Sequence, residues 1–440
     1  MEKFGFKSNI ENPIPLIIGT LEDISAYERL SCPLLKKGNV TFLSSPHNAW
    51  IFIADEQESF HQFGSLPNLL PEGVYTIQNL SPKFSIEAVC KGWGLGFYNF
   101  TRYKSNTRSQ KTFLTTNINI KALENELNAV YVTRDLINTP PNDMGPEDFL
   151  SFAKSYMKDS GAKISFEDTE KNWPAVYAVG KGSKRKPLVL EIRHTPKNPK
   201  LSIGIAGKGI CFDTGGYNLK TGSGMDLMKK DMAGAAQALA LTKWIIDENL
   251  PVQIHTIIPL AENSISGEAF RPSDVIQTKK GVTVEIGNTD AEGRVVLCDA
   301  LHALSTEKPD YIFDFATLTG AARVALGPDL PALFSNSETL AHDLVSLSHK
   351  IYDPLWHMPL WSPYKSMIQS KVADLNNATA SSHAGAITAA LYLQEFVDKS
   401  IPWVHIDFIG WNMSSKPGKP EGGEALGLST IFEYVKQKAS

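Results

Sequence analysis

The chain has 440 residues, 42% of them apolar and 20% charged, with a net charge of −4. That length gives ample core and suggests two or three domains of about 150 residues each. The acidic balance offers no bulk attraction to nucleic acid or an anionic membrane, so neither is an expected partner.

No stretch reaches about 18 uninterrupted apolar residues, which argues against a membrane-spanning helix. Cys32, Cys90, Cys211 and Cys298 are too scattered for a disulfide framework and suit a reducing compartment. The N-terminus shows no long apolar run behind basic residues, so a cytoplasmic protein is expected.

Residues 1–118 read as a small mixed α/β domain. Strands are expected at 14–20 and 49–54, and a helix at 86–100 despite several glycines. Polar residues 105–110 suit a linker. Leu123, Leu127, Val130 and Leu136 recur at helical spacing. A helix over 120–138 is therefore expected, capped by Asn119 or Asn117 and stopped by Pro140-Pro141. Residues 119–159 read as a connecting helix and linker, and 160–440 as a larger domain. There, apolar runs at 188–192, 201–206, 252–258, 282–286, 311–315 and 403–408 alternate with helical patterns near 225–248, 294–305, 337–351 and 385–398. The fold class is α/β, and the larger domain should hold a mostly parallel sheet covered by helices on both faces.

Asn288-Thr289-Asp290-Ala291-Glu292-Gly293-Arg294 places two carboxylates and a guanidinium at alternate positions between a strand pattern and a helix pattern. In an extended loop alternate side chains point the same way, so Asp290, Glu292 and Arg294 should converge. Carboxylates that close repel unless protons or cations intervene, and a metal with oxygen ligands is the usual answer. The structural alternative is a polar turn in which Asp290 caps the helix. Residues Gly207 to Gly216, with Lys220 and Asp231 beyond them, form a second acidic and basic segment between an apolar run and a helical pattern. In open α/β sheets the ligand crevice lies at the carboxyl ends of the strands, where both loops would sit. Together they offer Asp213, Asp231, Asp290 and Glu292 with Lys208, Lys220 and Arg294, and no histidine. The glycines near 204–209 lack the spacing of a dinucleotide loop, and no phosphate-binding loop follows.

These segments resemble the leucyl aminopeptidases, the cytosol aminopeptidase family of dinuclear metallopeptidases. The likeness rests on GKGICFDTGG (207–216), MDLMKKDMAGAA (225–236) and NTDAEGRVVLCDAL (288–301), with weaker echoes at 134–149, 271–275, 316–321 and 384–393. It covers about 300 residues and fades toward the N-terminus. It implies a metal-dependent aminopeptidase acting on peptides with a free N-terminus, Leu or another apolar residue first, and a homohexamer. It implies a pair of divalent ions, Zn²⁺ or Mn²⁺. Asp213 and Glu292 would bridge both, Asp290 would complete one site, and Lys208 and Asp231 the other. A water bridging the ions would be the nucleophile. Lys220 would act on the scissile carbonyl and its oxyanion, and Arg294 would hold a bicarbonate as general base. Met228, Thr317 and Gly320 would line the pocket for the first side chain.

Read without the resemblance, Lys208 and Arg294 suit salt bridges, Lys220 a loop surface and Met228 a core. Two other functions stay open: a narrow dipeptidase such as a Cys-Gly hydrolase, and DNA binding, against which the net charge argues. Thr214 stands where the family more often has Ser, and Ala233 where Gly is common. Neither departure removes a charged group.

Overall fold

A computed structural model describes residues 1–8, 10–23, 36–43, 48–104, 111–116 and 119–440. The expected linker at 105–110, Cys32 and the alternative cap Asn117 lie outside these residues. The chain divides into two compact units, Met1–Tyr131 with Asn412–Gly422, and Val132–Trp411 with Gly423–Ser440. The division falls inside the helix Lys121–Asn138, where a connecting segment over 119–159 was expected.

In the first unit, short apolar segments form β1 (Phe6–Lys7), β2 (Ile14–Gly19), β3 (Val40–Leu43), β4 (Ala49–Ile53), β5 (Gly73–Leu80) and β6 (Thr112–Thr115). They run in the order β1-β6-β5-β2-β4-β3, parallel except for β3 against β4. The helix Ile86–Phe97 starts where the Ser85 hydroxyl accepts from Ala88 N at 3.1 Å. Its glycines have a packing reason. A Cβ on Gly92 would lie 2.3 Å from Phe60 O, and one on Gly96 1.9 Å from Gly64 O. Only glycine lets the helix lie that close to the 3-10 segment Phe60–Ser65. At the start of Lys121–Asn138, Asn119 Oδ1 accepts from Lys121 N at 3.0 Å, and Leu127, Val130 and Leu136 are buried.

The second unit contains β7 (Lys163–Asp168), β8 (Leu188–His194), β9 (Leu201–Gly207), β10 (Gly209–Asp213), β11 (Val252–Asn263), β12 (Val275–Gln277), β13 (Thr283–Glu285), β14 (Tyr311–Ala316), β15 (Ala332–Ser335), β16 (Trp356–His357), β17 (Leu375–Asn376) and β18 (Trp403–Asp407). The main sheet is ordered β16-β15-β18-β14-β9-β11-β8-β7, with β10 also pairing with β11. Its centre, β18-β14-β9-β11, is parallel, and β8, β7 and β15 add antiparallel pairs. The central strands are almost wholly buried, as continuous apolar runs predict.

Two expectations change here. The run at 282–286 is not a main-sheet strand; β13 lies in a separate sheet, β12-β13-β17. Only Val284 of its three residues is buried, the pattern of a short strand with one covered face. Gly209–Asp213, expected within a loop, is a strand because Gly209, Ile210, Phe212 and Asp213 pair with the far end of β11, with Cys211 bulged out of register. Among the described residues no helix is long and apolar enough to cross a membrane.

Arg134 and Glu424 tie the unit's first helix to its last loop. Nε–Oε1 and Nη2–Oε2 are both 3.0 Å, with the side chains 1% and 3% exposed. Removing one member strands the other charge in the interior. Glu424→Ala is therefore expected to cost about 3–5 kcal/mol of stability. Denaturant unfolding checks this, and an unchanged midpoint would refute it.

Candidate metal centre

Close packing of a helix on the sheet sets the first side chain. Lys208 follows β9, where its N–H donates to Phe315 O at 3.0 Å and its C=O accepts from Ala235 N at 2.8 Å. Gly234, in the first turn of the helix Ala233–Asp247, permits this, since a Cβ there would lie 2.0 Å from Phe315 O. Asp213 ends β10 opposite Asn263 of β11. Its Oδ1 accepts from Gly215 N and Asn263 Nδ2, both at 2.8 Å. Asp231 sits in the 3-10 turn Met228–Met232, and its Oδ1 accepts from Thr317 Oγ1 at 2.7 Å. These residues meet at the carboxyl ends of β9, β10 and β14, the crevice expected of such a sheet.

The stretch 288–294 is not extended. Asp290 lies in a turn, Ala291 caps with φ −112° and ψ 35°, and Glu292 opens the helix Glu292–Thr306. Residues two apart on a helix point about 200° apart. Asp290 and Glu292 line one cavity, while Arg294 is absent from its lining and its Nη1 donates to Asn377 O at 2.9 Å. The expected convergence thus holds for the two acids and not for the arginine.

Asn377 and Asn263 escaped the sequence reading. Asn377 Oδ1 accepts from Gly287 N at 2.8 Å and Asn288 N at 3.2 Å, and its Nδ2 donates to Asn288 O at 2.8 Å and Ala291 O at 3.2 Å. Asn263 Nδ2 reaches Asp213 and also Thr289 O at 3.0 Å. A lone amide tens of residues away carries no spacing that would reveal such a role.

Asp213, Asp231 and Glu292 are buried, and each offers an oxygen within 4.8 Å of the others. Two ammonium groups stand among the acids. Lys208 Nζ lies 2.8 Å from Asp231 Oδ2, 3.0 Å from Glu292 Oε1 and 3.3 Å from Thr317 O. Lys220 Nζ lies 2.8 Å from Asp213 Oδ2 and 2.5 Å from Asp290 Oδ1. Burial, then repulsion from Asp231, raises the Asp213 carboxyl to about 6. Burial, then Asp213, raises Glu292 to about 7. Burial and Glu292 raise Asp290 as well. Burial opposes charge on both lysines, but the surrounding carboxylates outweigh it and hold both ammonium groups above their ordinary range.

Four carboxylates face two ammonium groups, and buried Glu292 Oε2 has no partner. A buried, oxygen-rich site short of positive charge fits hard or borderline divalent cations. Lys208 could join such a donor set only as the neutral amine.

The cavity over this cluster has a volume of about 550 Å³, and Met228, Thr317 and Gly320 line it. So do Leu318 and Arg323, which the sequence reading had not singled out. A larger cavity, about 820 Å³, lies in the first unit beside Lys104, Lys111 and Lys416. The acidic centre lies in the smaller one, so size does not pick the reacting site. Arg294 is buried, and burial lowers its pKa. Its Nε has no partner, and no carboxylate pairs with it among the described residues, so the salt-bridge alternative is not met. Cys211 and Cys298 are buried, and burial pushes both thiols up, consistent with inert filling.

The chain matches the family model described as cytosol aminopeptidase family, catalytic domain, over residues 131–432. It matches the M17 aminopeptidase N-terminal domain over 49–115. A probable cytosol aminopeptidase of Sulfurihydrogenibium sp. is 36% identical over 372 residues, covering 80% of this chain and 74% of the relative. One from Prochlorococcus marinus is 40% identical over 331 residues, 73% and 67% of the two chains. The crystal structure of cytosol aminopeptidase from Coxiella burnetii aligns with a TM-score of 0.93 at 39% identity over 99% of both chains. Bottromycin maturation enzyme BotP in complex with Mn aligns with a TM-score of 0.88 at 27% identity, over 98% of this chain and 100% of that one.

Proposed function

We propose, from the premise that the chain belongs to the cytosol aminopeptidase family and is a metal-dependent aminopeptidase, that hydrolysis runs at the cluster around Glu292, on peptides with a free N-terminus and Leu or another apolar residue first. The observation that carries this reading is the buried Asp213–Asp231–Glu292 group with its unpartnered Glu292 oxygen. In the proposal Asp213, Asp231, Asp290 and Glu292, with Lys208 as a neutral amine, would hold a pair of divalent ions. Zn²⁺ or Mn²⁺ suits these donors, and the BotP structure in complex with Mn supports the second. Bound there, such ions supply Lewis acidity toward the scissile carbonyl and a lowered pKa for an attacking water.

The chain's own residues do the rest. Lys220 stands between Asp213 and Asp290, with 14% of its side chain exposed. Its N–H donors would serve the carbonyl oxygen and the charge that develops on it. The family likeness alone gives Arg294 a bicarbonate acting as base; a planar oxyanion suits a guanidinium, and the arginine's buried Nε–H is unpartnered. Met228, Thr317 and Gly320 take the first side chain, and the Met thioether adapts to varied apolar shapes. The protein acts in the cytoplasm as a homohexamer in this reading, on the strength of the family likeness alone.

A comparison of Leu-Gly-Gly with its N-acetyl form tests the reading. Blocking the amine is expected to lower kcat/KM at least about tenfold, the scale of a lost charged contact. Equal turnover of both would overturn an aminopeptidase site here.

A further inference from the structure

The acidic cluster does not account for two cations beside it. Arg323, on the helix Gly320–Leu326, lines the same cavity. Its Nε donates to Thr319 O at 3.0 Å, which fixes the guanidinium. Its Nη2 lies 4.0 Å from where a Cβ on Gly320 would stand, so its open end sits beside the wall assigned to the first side chain. Among the described residues no carboxylate pairs with it. Lys230 lies between Met228 and Asp231, 2% exposed, and its Nζ has no hydrogen-bond partner.

We propose that Arg323 forms a carboxylate-binding subsite on the cavity wall, so that the enzyme accepts substrates carrying a carboxylate near the scissile bond. The carboxylate comes from the side chain of an acidic first residue or from the C-terminus of a dipeptide. The inference rests on the reading that the acidic cluster is the reacting centre.

Arg323 lines the cavity with Met228, Thr317 and Gly320, the residues assigned to the first side chain, so a carboxylate there lies within its reach. A guanidinium held at Nε still presents donors to a carboxylate. Arg323 is partly exposed at the cavity, so its replacement should not disturb the core.

The test uses metal-loaded wild type, Arg323→Ala and Arg323→Lys with three substrates. Leu-Gly amide carries no carboxylate, Leu-Gly carries one at its C-terminus, and Glu-Gly amide carries one on its first side chain. In Arg323→Ala, the kcat/KM ratio of Glu-Gly amide to Leu-Gly amide is expected to fall at least about tenfold, mainly through KM. Arg323→Lys should keep part of it. A fall confined to the ratio of Leu-Gly to its amide would keep the subsite and assign it to the C-terminal carboxylate. Calorimetry of glutamate against glutamine on the same proteins reads the subsite without turnover. A preference for glutamate that disappears in Arg323→Ala supports the subsite even if the reaction reading fails. Ratios and preference unchanged in Arg323→Ala would overturn it.

Discussion

Glu292→Gln is expected to lower kcat by at least about 100-fold while leaving the fold intact. Glu292 is the most enclosed acid of the centre, with one oxygen near Lys208 and the other without a partner. Gln keeps the shape but loses the charge that a dinuclear pair needs, so metal content should fall together with rate. Stripping divalent metal from the wild type should silence it in the same way, and adding Mn²⁺ or Zn²⁺ should restore it. Circular dichroism, metal analysis and kcat on one preparation decide the matter. Near-normal rate and metal content in Glu292→Gln would remove it from the ligand set.

The same group sets a pH dependence. In the metal-free protein Asp213 and Glu292 hold protons up to about 6 and 7. Metal must displace those protons, so affinity should weaken as pH falls through that window. The sign for stability is opposite. Raised carboxyls favour the folded metal-free protein fully below the ordinary carboxyl range, and that contribution is lost as pH rises through 6 to 7.

Lys220→Ala is expected to raise the barrier by about 3–4 kcal/mol, the usual effect of deleting an oxyanion donor. Lys220 sits in the loop after Gly215 and Gly216, both at positive φ, which fold the chain back so that Lys220 N donates to Thr214 O at 3.0 Å. The ammonium therefore reaches the acids from the cavity side. Its removal leaves every carboxylate in place, so both metals should remain bound while kcat falls. Metal loss in Lys220→Ala, or a rate close to wild type, would overturn its role. Lys220→Arg keeps the charge but not the compact ammonium, and partial rescue is expected.

Much of this was legible before any coordinates. Leu127, Val130 and Leu136 marked the helix Lys121–Asn138 because one face of it is buried. The buried runs of β9, β11, β14 and β18 marked the parallel centre, since a strand covered on both faces cannot alternate. The acids were found because charge repeated at fixed spacing is rare without a partner. What failed was geometry over short distances. An extended loop and a helix start place Glu292 and Arg294 on opposite bearings, and the residues 288–294 are compatible with either. The run at 282–286 has strand composition, but composition does not say which sheet a strand joins. Lys230 and Arg323 lacked a pattern because what matters about them is the absence of an acid in three dimensions.

The four hydrogen bonds from Asn377 to the loop at 287–291 have a consequence for the order of assembly. Their donors and acceptors are separated by 86 to 90 residues of chain. A ribosome that has released residue 300 has already delivered every acid of the centre, yet not the side chain that fixes how two of them stand. Local segments close early, and pairings this distant wait for loop closure. β18, which inserts between β14 and β15, emerges later still. During synthesis there is thus an interval in which the acids exist as a loose, charged sequence with no defined ion site. The arrangement of these acids therefore cannot precede synthesis of Asn377, in the last quarter of the chain.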